Sequence, residues 1–163
     1  MERAQLRSGE LQVQRLSDGR RRLLRDLEID LRKDLRLGDG RYPGITSPDS
    51  STVVTVPKAF VTDFSSIPAF ARALYRFDAV DLAGCCHDWA YYVGVPKPQA
   101  DEIWRLVAIS GTRRVSRWRG RLGWLALRVG GHRAYRSHAE RRRKREQEGG
   151  EPIASPLTAP KAA

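Results

Sequence analysis

The chain holds only two cysteines, and they are adjacent, Cys85 and Cys86. Neighbouring side chains on a helix diverge, so the two do not bridge each other. That excludes a disulfide scaffold. Without a second cysteine pair it also argues against a structural zinc site. Both read as small buried residues. No apolar run approaches the roughly 18 residues that a membrane span needs. The segment Met1–Leu6 carries no secretory-type apolar stretch, so the expectation is a protein that is cytoplasmic at synthesis. A glycine-rich phosphate loop, zinc-finger spacing, a serine nucleophile elbow and an internal repeat are all missing. Acidic residues are scarce: 19 against 30 basic ones, a net charge of +11. Such an excess favours nucleic acid, anionic lipid or an acidic protein face as partner, and says nothing about fold.

What is present begins with alternation. Leu11 to Leu16 alternates apolar and polar residues, and Ser17-Asp18-Gly19 is a turn signal. Arg22 to Leu31 then reads as a returning strand, because Leu27, Ile29 and Leu31 alternate. Gly38 to Gly44 reads as a loop, and Ser51 to Val56, rich in Thr and Val, as a strand. Helical periodicity takes over afterwards. Candidate helices run over 69–75, from Asp78 or Asp81 to Tyr92, from Pro98 to Ser110, and from Val115 to Val129. In the last of these Trp118, Leu122, Leu125 and Val129 recur at helical spacing, with Arg117, Arg121 and Arg128 on the flanks. The expected role is a core-packing helix with snorkelling arginines. The alternative is a basic amphipathic surface for an anionic membrane or nucleic acid, extending over Arg113–Arg145.

The expected fold is therefore α+β: a small N-terminal antiparallel sheet packed with about four helices. The expected organisation is an arm over residues 1–9, one domain over 10–137, and a basic, partly disordered tail over 138–163. The core should draw on Val13, Leu27, Ile29, Val54, Val56, Phe60, Leu74, Leu82, Cys86, Ile103, Val107, Leu122 and Leu125.

The segment with most chemical content is Cys85-Cys86-His87-Asp88-Trp89-Ala90-Tyr91-Tyr92, followed by Ala100-Asp101. Residues four apart on a helix share a face, so His87 and Tyr91 stack along one side, while Asp88 points about 100° away. A turn between two helices returns Asp101 to the first helix. A histidine oriented by a carboxylate can act as general base beside a cation site. The candidates are thus His87, Asp101 and Tyr91 for catalysis, and Asp88 with Asp63 for a metal. Carboxylates are hard oxygen ligands, which favours calcium or magnesium over zinc. This reading requires the acids to converge on one water-reachable spot. The competing reading is a buried hydrogen-bond network that specifies the fold.

Two resemblances rest on these residues. The block Val56-Pro57-Lys58-Ala59-Phe60-Val61-Thr62-Asp63-Phe64-Ser65-Ser66-Ile67-Pro68, then Cys86-His87-Asp88-Trp89-Ala90-Tyr91 and Ala100-Asp101, resembles the domain of unknown function 1353 family over roughly residues 10 to 135. Its pattern is VPxGFxTDxASxP, then HDWxY, then an Ala-Asp pair. Here Ala59 stands where glycine is usual, and Ser65 where alanine is usual. The family is common in tailed phages and prophages. The resemblance implies a phage-type protein with phage structural proteins as partners, either virion-associated or engaged in assembly. Separately, His87-Asp88-x-x-Tyr91 with Asp101 is similar to the phospholipase A₂ motif. That implies His87 as base, Asp88 as calcium ligand, Tyr91 and Asp101 as the orienting pair, and hydrolysis of an ester or similar bond. The chain departs from that superfamily upstream of His87: the nearest glycine-rich loop, Gly38 to Gly44, is separated from His87 by a strand and a helix, and the block around Asp63 takes its place.

Overall fold

The computed structural model describes residues 4–8, 10–37, 42–47, 51–62, 77–110 and 115–148. Among them, strands come first and helices follow, an α+β arrangement. The strands are β1 (Gln5–Leu6), β2 (Val13–Arg15), β3 (Arg21–Leu23), β4 (Leu27–Asp30), β5 (Ile45–Thr46), β6 (Val53–Val56) and β7 (Val61–Thr62). The helices are α1 (Phe77–Val93), α2 (Lys97–Ser110), α3 (Arg117–Gly130) and α4 (His132–Gln147). The expected boundary at residue 137 falls inside α4. Leu74, Asp63 and the candidate helix over 69–75 lie outside the described residues.

The strands form two antiparallel sheets, ordered β1-β4-β6-β5 and β2-β3-β7. Residues expected as one returning strand are divided between them. Leu23 ends β3 and Leu27 opens β4, with an exposed turn at Leu24, Arg25 and Asp26. The first sheet is in register at Leu27 with Val56 and at Ile29 with Val54. These residues are buried, and β6 packs on α1. Between strands, Gly44 has φ +68, and a Cβ there would lie 2.2 Å from the Thr55 carbonyl oxygen, so no larger residue fits this crossing of β5 and β6.

From Ala83 to Tyr91 every residue of α1 is buried. A helix enclosed all round must be apolar or internally paired, and α1 meets that demand with Ala83, Cys85, Cys86, Trp89 and Ala90. Burial pushes both thiols above the ordinary cysteine range, so they stay protonated and inert. Gly94, at φ +88, ends α1; its N–H reaches the Ala90 and Tyr91 carbonyls. Helix α2 packs against α1, α3 against α2, and α4 against α1 and α3.

The core differs from expectation at one helix. Leu122 and Leu125 are 43% and 50% exposed. The reason is that α3 docks through its other face, where Gly120, Gly123 and Leu127 are buried. A Cβ on Gly120 would come within 2.4 Å of Ile109 Cγ2, so the small residue sets how closely α3 approaches α2.

The chain crosses from one sheet to the other at Ala59, whose φ of +69 is left-handed. Its N–H bonds the Leu23 carbonyl at 2.9 Å, and Leu23 N–H bonds the Phe60 carbonyl at 2.9 Å. The turn is thereby held in a conformation that an L side chain resists. Ala59→Gly is therefore expected to raise stability by about 1 kcal/mol, read as a higher urea midpoint at unchanged slope.

Candidate functional site

The site is built on the first two helices. His87 and Tyr91, four residues apart on α1, both meet Asp101 of α2. His87 Nε2 lies 3.1 Å from Asp101 Oδ1, and the Tyr91 hydroxyl donates to the same oxygen at 2.8 Å. The imidazole and phenol rings are tilted against each other at a centroid distance of 4.0 Å. On its far side Tyr91 meets Tyr135 of α4 edge-on at 5.0 Å.

The other carboxylate oxygen is met by Lys97, with Arg128 Nε of α3 farther off at 3.7 Å. The Lys97 ammonium donates to Asp101 Oδ2 at 2.8 Å, to the Leu127 carbonyl at 2.8 Å and to the Arg128 carbonyl at 3.3 Å. Those carbonyls lie in the last turn of α3, where the dipole is negative; the Leu127 oxygen also accepts the Gly131 N–H at 2.8 Å, so Lys97 takes its second lone pair. One lysine thus satisfies a buried carboxylate and caps a helix with its three donors. Sequence reasoning missed Lys97, although a lysine four residues before an aspartate on one helix is a legible pairing signal.

Electrostatics then assign protons. Burial alone would raise the Asp101 pKa, but hydrogen bonds from His87, Lys97 and Tyr91 outweigh it and hold the carboxyl below its ordinary value. Burial first, and the Asp101 charge second, push the Tyr91 phenol far above the ordinary tyrosine range, so it remains a donor. An ionised carboxylate only accepts. His87 Nε2 must therefore carry the hydrogen it shares with Asp101, which leaves Nδ1 as the ring nitrogen that the carboxylate does not engage. That atom is buried and has no hydrogen-bond partner among the described residues.

Three of the five expected site residues, His87, Tyr91 and Asp101, are thus brought together. Asp88 turns elsewhere: it accepts a short hydrogen bond from the Thr62 hydroxyl at the end of β7, which ties α1 to the second sheet. Asp63 lies outside the described residues. Among the described residues no group of three or more His, Cys, Asp or Glu side chains is placed to hold a metal. The expected water-reachable spot is not seen at the histidine. His87, Tyr91 and Asp101 have no exposed surface, and Asp88 is 3% exposed.

Elsewhere on α1, Trp89 and Tyr92 line a cavity of about 410 Å³ together with the turn at Pro57–Val61 and with His138 and Arg141 of α4. Phe60 and Trp89 meet edge-on at 5.2 Å. Lys58 and Arg141 add basic groups to this aromatic lining, which suits an apolar group ending in an anion.

The architecture is thus an α+β domain with a sealed His–Asp–Lys–Tyr cluster between its first two helices. A family model described as "Protein of unknown function (DUF1353)" matches residues 43–127, just over half of the chain, and the chain belongs to that family. The match spans His87, Tyr91, Lys97 and Asp101. Comparison with curated proteins and with solved structures produced no match.

Asp101→Asn is expected to cost about 3 kcal/mol or more near neutral pH, because it leaves Lys97 enclosed without its counter-charge. The sign of the pH effect follows from the lowered Asp101 pKa. Its contribution is whole above the unfolded value, about 3.9, and is lost as pH falls through the lower folded value. Urea unfolding followed from neutral to acid pH should therefore show a shallower acid loss in the variant than in the parent.

Proposed function

We propose that His87 and Asp101 form the base–carboxylate pair of a hydrolytic centre acting on an ester or similar bond, in a phage- or prophage-type protein. One observation carries this reading: His87 has one nitrogen committed to a carboxylate and the other bare. A buried polar atom without a partner costs about 1–3 kcal/mol, and on an imidazole already held by a carboxylate such an atom is placed as a base would need it.

In the proposed step Nδ1 takes a proton from water as the water oxygen attacks the carbonyl carbon and the carbonyl π bond opens to an oxyanion. When the carbonyl re-forms, the ester C–O bond breaks and the leaving alkoxide takes the proton back from Nδ1–H, releasing alcohol and carboxylic acid. Asp101 Oδ1 keeps its hydrogen bond to Nε2–H and steadies the imidazolium. Lys97 already offsets much of the Asp101 charge, so Asp101 acts chiefly by fixing ring orientation and tautomer. Tyr91 and Lys97 are positioning residues. A calcium or magnesium ion would stabilise the oxyanion only if Asp88 left Thr62 and, with Asp63, turned toward the imidazole. Water reaches Nδ1 only when the side chains enclosing His87 part.

The enclosure of His87 favours a second reading, a non-catalytic virion or assembly component in which the cluster locks α1, α2 and α3 together. Esterase turnover on p-nitrophenyl esters and dispersed phospholipid, with calcium or magnesium present, separates the two. The hydrolytic reading predicts a loss of about 100-fold or more in His87→Gln, with calorimetric heat from either cation abolished in Asp88→Asn. Equal turnover in parent and His87→Gln, with no cation heat in the parent, would leave the structural lock.

A further inference from the structure

Helix α3 presents an apolar stripe that nothing among the described residues covers. Trp118, Leu122, Leu125 and Val129 are 56%, 43%, 50% and 82% exposed. At 100° per residue these positions fall within about 60° of one another, along a helix about 21 Å long. Arginines border the stripe on both sides: Arg117 and Arg121 on one, Arg119 on the other. Arg128 is engaged by Asp101 and by the Trp124 ring and is not counted among them. The Arg119 guanidinium stands 5.3 Å from the Trp118 ring centroid. The basic border continues onto α4 with exposed Arg133 and Arg136. No acidic residue occurs between Glu102 and Glu140.

From this arrangement we infer that α3 is an interfacial helix that lies flat on an anionic lipid bilayer. The apolar stripe enters the acyl boundary, and the arginines reach back to the phosphates. Each part of the pattern bears on the occupant. An exposed stripe of this kind gains free energy only by leaving water, which phosphate contacts along a nucleic acid would not provide. A second copy would set arginine borders against arginine borders, with no carboxylate in the segment to relieve them. An anionic bilayer supplies an apolar layer beneath a continuous sheet of negative charge, matching both the stripe and its border. The indole at the N-terminal end suits the headgroup level. No helix among the described residues is long and apolar enough to cross a membrane, so the contact is with the surface. This inference stands on α3 alone and holds whether or not His87 is catalytic.

The test is flotation of the full chain with vesicles of mixed phosphatidylglycerol and phosphatidylcholine, with pure phosphatidylcholine vesicles as control. Binding to the mixed vesicles alone is expected, weakening as salt rises. Leu125→Gln and Val129→Gln should each lower partitioning by about tenfold. Both side chains are exposed, so an unchanged circular dichroism spectrum and unfolding midpoint show that the fold persists. Three results would overturn the inference: no binding to the anionic vesicles; binding that both glutamine variants retain, as expected of a helix that grips phosphates only and binds duplex DNA equally well; or a lipid-free dimer of the parent that the glutamine variants dissociate.

Discussion

A single carboxylate organises the helical half of this molecule. Asp101 has no exposed surface, and an ion so enclosed is tolerated only when its charge and lone pairs are met. It is met by the imidazole and phenol of α1 on one oxygen, and by the ammonium of Lys97 on the other, with the Arg128 guanidinium 3.7 Å from that second oxygen. Lys97 extends the constraint to α3 through two carbonyls of its last turn. The relative placement of α1, α2 and α3 is therefore specified by directional bonds as well as by packing, which apolar contacts alone specify less sharply.

The chemistry of the cluster follows from how its protons are distributed. A depressed carboxyl, a phenol held protonated and a fully engaged ammonium leave the histidine as the one member with an unused site. That asymmetry is what the proposed hydrolytic role rests on. Its burial is what a closed lock would share. Asp88, one residue along the helix and turned away, serves a different contact by joining α1 to the second sheet through Thr62.

Two departures from sequence expectation have plain physical causes. The amphipathic period of α3 was legible, but the face that docks was not. The period states that one side of a helix is apolar; it does not say that this side is the buried one when glycines on the opposite side permit closer packing. The apparent strand over 22–31 likewise shows alternation, yet alternation is blind to a turn exposed at Leu24 to Asp26, and the segment serves two sheets. The left-handed turn at Ala59 was visible only as a departure from the family's usual glycine. Its cause, a backbone passage between sheets, needed coordinates.

From sequence alone came the α+β order, the helix α1 carrying His87, Asp88 and Tyr91, the helix α2 carrying Asp101, and the buried, unbridged cysteines. Each depends on periodicity or spacing within one segment, which local geometry controls. Tertiary structure alone decided that Lys97, beyond its pairing with Asp101 along one helix, reaches α3, that Asp88 faces Thr62, that His87 is sealed with Nδ1 bare, and that the apolar stripe of α3 faces outward. Those outcomes depend on how helices distant along the chain settle against one another, and no pattern within a single segment contains that information.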